Sequence, residues 1–318
     1  MPDLSSLAEK KFDWVKVSDG VAWEPRDSMG HLFFKDQFWV FGGWIGTHVS
    51  CPRDVWSSPD GIHWKLVCQE APWKHSDLPG CVVFKDRMWV MSGWYNARLP
   101  GHEPGNEVWS SADGANWVKA KNNAAWEPRM GVGIVTFKDR IWVMGGVLHS
   151  FGGNDSDLRN DVWSSADGEN WELMGASAGW QPRAYHQVIV FNGKMWVMGG
   201  GNYLPNYQTF RDVWCSEDGV KWQEVTSEVP WPGRLWFSLV VYRDRMWVFG
   251  GWSNFPFVDW NDVWHSADGK TWIPLESDVV WAKRHAQAAY VFGDKIWVIG
   301  GHARPLTNDL WTLELPAE

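Results

Sequence analysis

Ten histidines, an arginine recurring at one position, and a surplus of tryptophan are the features of this 318-residue chain that could do chemistry. His48, His102, His149 and His302 follow glycine-rich steps, while His31, His75, His186 and His285 stand on or just before apolar runs that read as strands. An imidazole exchanges protons near neutral pH, so His186, His285 and His31, with the phenol of Tyr185, are the candidate acid/base groups. Arg26, Arg129, Arg183, Arg234 and Arg284 share one place in a recurring pattern, and Ser76 breaks the series with Lys74 and His75 beside it. A group that recurs once per unit more simply serves the unit, yet planar guanidinium forks also grip carboxylate or phosphate. Arg183, Arg234 and Arg284 are therefore carried as candidate ligand-wall residues. Trp44, Trp94, Trp236, Trp252 and Trp260, with Tyr95, Tyr203, Tyr207, Arg98, Arg304 and His302, supply the aromatic faces and few polar groups that a concave site for a sugar or organic acid requires.

Those residues are positioned by a repeat. Four tryptophans recur six times at fixed spacings, as in Trp180, Trp196, Trp214 and Trp222, with Arg183 and Phe191 between the first two. Only one interval varies: from the W-V tryptophan to the D-V-W tryptophan the distance runs 17, 20, 21, 18, 17 and 14 residues. Insertions thus fall in one loop per repeat, on one side of the fold, where function is commonly carried. Segments such as 187–191, 195–198, 161–165 and 171–174 are short, rich in β-branched and aromatic residues, and bounded by Gly, Asp, Asn and Pro, which predicts strands. Lys35-Asp36, Asn192-Gly193 and the Ala-Asp-Gly runs ending at Gly114, Gly168 and Gly269 predict hairpin turns.

The doublets Gly42-Gly43, Gly145-Gly146, Gly199-Gly200, Gly250-Gly251 and Gly300-Gly301, with Ser92-Gly93 as the departure, the D-V-W that follows and the later Trp resemble the kelch repeat over residues 12–315. The resemblance implies an all-β, six-bladed β-propeller with four antiparallel strands per blade. The blades fall at about 23–69, 73–119, 126–174, 180–226, 231–276 and 281–315, one domain over 1–318. Trp14 precedes Trp23 by nine residues, as Trp64 precedes Trp73, so an N-terminal outer strand at 12–17 is expected to complete the last blade and remove an open edge.

Twenty-four of the 29 tryptophans are repeat positions, and the other five map to the variable-loop face or the entrance of the inner strands, as do eight of the ten histidines. A scaffold has no reason to make that distinction, so the site is expected in an axial funnel on this face. A formal net charge of -9 lacks the basic footprint of a nucleic-acid binder. With no apolar run long enough to span a membrane and a polar, acidic start, the chain as given reads as cytoplasmic unless a leader was removed. Four cysteines without C-x-x-C spacing read as reduced thiols, with one disulfide among Cys51, Cys68 and Cys81 left open.

Arg183-Ala184-Tyr185-His186 also resembles an inner strand of galactose oxidase, whose copper site needs a second Tyr where this chain has Gly131 and a Cys where it has Val132 or Pro79. Glu24, Asp27 and His31 approach the E-x(3)-D-x(3)-H of the iron-dependent specifier proteins with one gap short, and in an extended segment Asp27 and His31 would stand about 13 Å apart, too far to share an ion. The S-x-D-G-x-x-W strings loosely resemble the sialidase Asp-box, are one residue short, and read as hairpin turns. No cofactor and no metal ligand set is expected from spacing within any one segment. The kelch sialic-acid mutarotases are the nearest functional analogy, implying metal-free acid/base chemistry of isomerase or lyase type on a sugar. The reading is a small-molecule or glycan site in the funnel, with a protein-interaction scaffold on the same face as the alternative; a narrowing funnel favours the first and a flat aromatic rim the second.

Overall fold

The computed structural model describes residues 11–316 apart from 150–153, 205, 207 and 255. Tyr207 therefore lies outside the described residues. Six four-stranded antiparallel sheets form the blades, as the repeat predicts. In the first, the inner strand Gly30–Phe34 pairs with the second strand Gln37–Phe41, which pairs with Val55–Ser58 and then with the outer strand Lys65–Cys68. Each second strand is sandwiched on both faces and almost wholly buried, which is why Q-F-W-V-F and its counterparts are continuous apolar runs. The inner strands alternate, one side toward the neighbouring sheet and the other toward the axis. The inner hairpins turn through pairs such as Lys35-Asp36 and Asn192-Gly193, both residues at positive φ, the geometry that matches strand twist.

Tryptophan lays out the blades. The first and last tryptophans of each repeat meet edge to face, as in Trp23 with Trp64 at 5.9 Å and 85°, and Trp180 with Trp222 at 6.1 Å and 89°. Trp14 makes the same contact with Trp281, at 5.8 Å and 80°, so the N-terminus supplies the sixth blade's missing element. The closing strand itself is Val15–Ser18, antiparallel to Leu306–Leu313. It starts later than the expected 12–17 because the Phe12 and Trp14 amides donate to the carbonyls of Glu276 and Val279, in the loop that leaves the fifth blade, instead.

The W-V tryptophan of one blade reaches the D-G turn of the next. A Cβ added to Gly168, at φ +80°, would stand 2.1 Å from Trp89, so only glycine fits this contact. Gly168→Ala is expected to cost about 1–3 kcal/mol through overpacking, and about 1 more through the left-handed backbone. Urea unfolding measures it, and an unchanged midpoint would show that Trp89 moves freely. The Gly-Gly doublets link blades through backbone: the second glycine's amide donates to the carbonyl at the arginine position one blade on, as Gly146 to Arg183 at 2.8 Å and Gly301 to Arg26 at 2.9 Å.

Among the described residues no helix is long and apolar enough to cross a membrane. Cys51, Cys68, Cys81 and Cys215 are all free thiols, so the disulfide left open among the first three is not formed.

Candidate functional site

Each inner strand is entered through three residues that begin at the arginine position, and their backbone decides where chemistry is displayed. The third residue of the triplet, Ser28, Leu78, Gly131, Tyr185, Trp236 or Ala286, has φ between 51° and 65° in every blade. Five of the six junctions between these residues are closed by backbone hydrogen bonds, including Leu78 to Ser28 at 2.9 Å and Ala286 to Trp236 at 2.8 Å. The result is a backbone collar around the axis. Below it lies an axial channel of about 230 Å³ lined by the inner strands, and above it a funnel of about 330 Å³ on the variable-loop face.

The second residue of each triplet pairs with the residue after the glycine doublet: Asp27 with Trp44, Asp77 with Trp94, Met130 with Val147, Ala184 with Gly201, Leu235 with Trp252, and His285 with His302. Read around the ring, blades six, one and two contribute His, Asp and Asp to the first column, and blades three to five contribute Met, Ala and Leu. One side of the funnel is polar and ionisable, and the other is apolar.

The polar side is a stacked column. Trp44 lies on His302 at 5.8 Å and 19°, His302 on His285 at 4.9 Å and 25°, and His285 on Trp236 at 5.4 Å and 31°. Each imidazole has a buried carboxylate on Nδ1: Asp27 Oδ2 stands 3.0 Å from His302, and Asp259 Oδ1 stands 2.6 Å from His285. Asp259 also receives Arg304 Nε at 2.8 Å. Asp77 shares this wall, with burial first and the Asp27 charge second raising its carboxyl well above the usual range, against a hydrogen bond with Ser28. Trp236 carries the column on into an aromatic cluster with Trp252 and Tyr203, with ring centroids 5.1–5.7 Å apart. Thr47, Arg98 and Phe257 complete the mouth.

The expected site residues divide accordingly. Trp44, Trp236, Trp252, His285 and His302 meet in the funnel, with Arg98, Arg304 and Tyr203. His31 and His186 lie at the channel beneath the collar, and Tyr185, itself a collar residue, borders that channel. His186 is buried, tilted against Trp180 at 5.8 Å, and neither ring nitrogen has a hydrogen-bond partner among the described residues. Burial, with the Arg183 charge, pushes its imidazole down to about 3. His31 is likewise lowered by burial. Trp94 is buried, gives its indole N–H to the Ala97 carbonyl at 2.7 Å and stacks on His102, so it packs the loop. Tyr95 carries the Lys74 ammonium over its ring at 4.3 Å, away from the funnel lining.

The arginines are a correction to the ligand-wall expectation. Arg183, Arg234 and Arg284 are fully buried and bidentate to Asp212, Asp262 and Asp309, the aspartates of the D-V-W motif, and each also bonds the first carbonyl of its glycine doublet. In blade two, where Ser76 replaces Arg, His75 Nδ1 and the Lys74 amide bond Glu107 instead. Glu24, Asp27 and His31 do not assemble: Asp27 faces the funnel and His31 the channel. Gly131, where a galactose-oxidase-like second tyrosine would stand, has no space for one, because an added Cβ would meet the Tyr185 ring at 2.7 Å.

His186 also gives a pH prediction. Its folded pKa lies below the unfolded value, so the unfolded chain binds the extra proton first and stability falls as pH drops below about 6.5. His265, pushed down to about 4 by burial and then the Arg245 charge, acts in the same sense. Between pH 6.5 and 4.5 the wild type is expected to lose up to about 1.4 kcal/mol per pH unit for each of them, and His186→Gln should flatten the slope by one share. Equal slopes in urea titrations of the two proteins would mean that His186 already titrates normally in the fold.

A six-bladed propeller whose variable loops build an axial funnel defines a class, the kelch-type propellers. The chain belongs to the kelch-repeat family: the KLHDC2/KLHL20/DRC7 Kelch-repeats domain model matches residues 147–318. It is 32% identical over 120 residues to the dynein alpha chain of the flagellar outer arm of Chlamydomonas reinhardtii, covering 32% of this chain and 3% of that protein. It is 29% identical over 124 residues to Kelch repeat protein M-T8 of Myxoma virus (strain Lausanne), covering 38% and 22% respectively. The matched region thus spans a small part of either relative. Among solved structures it is similar to that of YjhT, with a TM-score of 0.76 at 14% identity over 94% of this chain and 97% of the other, a likeness of fold.

Proposed function

We propose that the funnel binds a polar small molecule with an apolar ring face, a sugar or a cyclic organic acid. The observation that carries this reading is the division of the funnel: a Trp236–Trp252–Tyr203 aromatic wall adjoins, through Trp236, a column of imidazoles and buried carboxylates. Such a ligand has one stacking face and a rim of hydroxyls or carboxylates, and the two walls answer to each. The concave shape supports a ligand over a flat docking rim. Of the four acid/base candidates only His285 faces the funnel, and its Nδ1 is oriented by Asp259 in the manner of a positioned general base. Direct binding of a glycan and metabolite panel, read by calorimetry in the presence of a chelator, tests the proposal. A hit is expected to lose about 1–3 kcal/mol of affinity on Trp236→Ala, with His186→Ala, beneath the collar, leaving it unchanged. A ligand indifferent to Trp236 but sensitive to Lys138 or Lys295 on the opposite face would sink the funnel assignment.

A further inference from the structure

We propose that the polar wall of the funnel is a binding site for one divalent transition-metal ion, held by Asp27, His285 and His302 from two adjacent blades. This goes beyond ligand binding by the aromatic wall and rests only on the existence of the funnel.

The donor atoms of the three side chains lie within 4.8 Å of one another. Ligands sharing an ion at bond lengths of about 2.0–2.2 Å stand roughly 3–4 Å apart, so small side-chain rotations bring the set into one coordination sphere. The Asp27 Oδ2 to His302 Nδ1 separation, 3.0 Å, already has the length of one edge of such a polyhedron. His285 is prepared as a ligand. Asp259 at 2.6 Å accepts from Nδ1–H, which directs the other ring nitrogen, Nε2, to be the ligand atom, and Arg304 holds Asp259 in turn. A carboxylate behind the imidazole is the outer support that metal-binding histidines carry.

An independent observation points to a cation at the same wall. Asp77 is 7% exposed, lines the funnel, is close enough to Asp27 for their charges to interact, and its Oδ1 has no hydrogen-bond partner among the described residues. A buried carboxylate oxygen left unpaired is costly, and with a second carboxylate beside it either a proton or a bound positive charge must offset that cost. A cation on Asp27 would supply that charge, directly or through a bound water.

The donor set selects the ion class. Two imidazole nitrogens disfavour calcium and magnesium, which take oxygen ligands, and two nitrogens with one carboxylate suit zinc or ferrous iron. Three protein ligands leave coordination positions open toward the funnel, where hydroxyl or carboxylate oxygens of a ligand could bind directly. With an ion bound, His285 serves as a ligand and is not free to take protons.

The test titrates the chelator-stripped full-length protein with Co2+, followed by visible absorption, and with Zn2+, followed by calorimetry. One ion per chain is expected, with Co2+ absorption bands of a nitrogen-bound ion. His302→Gln and Asp27→Asn should abolish saturable binding, and Asp259→Asn should weaken it about 10–100-fold. His31→Gln, beneath the collar, should bind as wild type. Circular dichroism melts confirm that each variant is folded, and the two first-sphere variants are independent of each other should one fail to fold. No saturable Co2+ or Zn2+ binding by wild type, or retention of it in both folded first-sphere variants, would overturn the proposal. Because the ligand panel is run in chelator and reads Trp236, the two proposals fail separately.

Discussion

Deleting residues 2–18 is expected to unfold or oligomerise the propeller, with a loss larger than any single core substitution in one blade. Trp14 is 1% exposed and packs against Phe249 and Trp281, so its removal alone falls in the range of about 3–5 kcal/mol measured for truncating buried Trp or Phe. The deletion also removes the strand paired with Leu306–Leu313, leaving that long strand as an open edge, and frees the loop at 276–279 that Phe12, Asp13 and Trp14 hold by hydrogen bonds. Trp14→Ala in the intact chain separates the packing loss from the exposed edge: it should destabilise by a few kcal/mol and remain monomeric, whereas the deletion should self-associate. Urea unfolding and sedimentation at two concentrations read both effects. An unchanged melt for the deletion would show that the ring does not depend on its N-terminal strand.

The scaffold was readable because its contacts are repeated. A tryptophan that reappears at a fixed interval packs against the same partner each time, so the Trp14 to Trp23 spacing places the N-terminal strand in the last blade, where the structure has Trp14 against Trp281. The site was only half readable because its contacts cross columns of the repeat. Asp27, Asp77 and His285 occupy one column and Trp44, Trp94 and His302 another, and laying the six repeats side by side would have singled out Asp77, which nothing in its local sequence recommends. Asp259 has no such column, since it lies in the short variable-loop hairpin Trp252–Ser253 with Val258–Asp259, whose counterpart in the second blade, Trp94–Tyr95 with Glu103–Pro104, has another length and sequence. His186 and His31 were expected at the funnel because they share an inner strand with its wall. What separates them from it is the left-handed residue at each strand entrance: it turns the chain through the collar, so side chains on either side of it face different cavities. A positive φ at Ser28, Leu78, Tyr185, Trp236 and Ala286 is unusual for non-glycine residues, which is why residue type did not reveal it.

Arg183→Ala is expected to destabilise the fold by about 3–5 kcal/mol while leaving funnel ligands almost untouched. The guanidinium is 0% exposed, donates to both oxygens of Asp212 at 2.6 Å, and also bonds the carbonyls of Gln181 and Gly199. Removing it leaves a largely buried carboxylate and two backbone acceptors without their donor, and the penalty comes mainly from those abandoned groups. Replacing both charged partners by apolar residues of similar size should therefore recover part of the loss, so Arg183→Met with Asp212→Leu is expected to be more stable than Arg183→Ala alone, although the Trp214 indole N–H that Asp212 accepts at 2.8 Å would still lose its partner. Arg183→Lys should recover less than its charge suggests, because an ammonium cannot reproduce the two parallel bonds. The measurement is a double-mutant cycle in urea, with the affinity of whichever small molecule binds the funnel determined on each folded variant. If Arg183→Ala melts like the wild type and loses the ligand, the arginine belongs to the site after all. If it melts far lower but binds with unchanged affinity below its midpoint, the arginine that recurs in five blades holds the blades in place, and the chemistry of the funnel rests on the columns beside it.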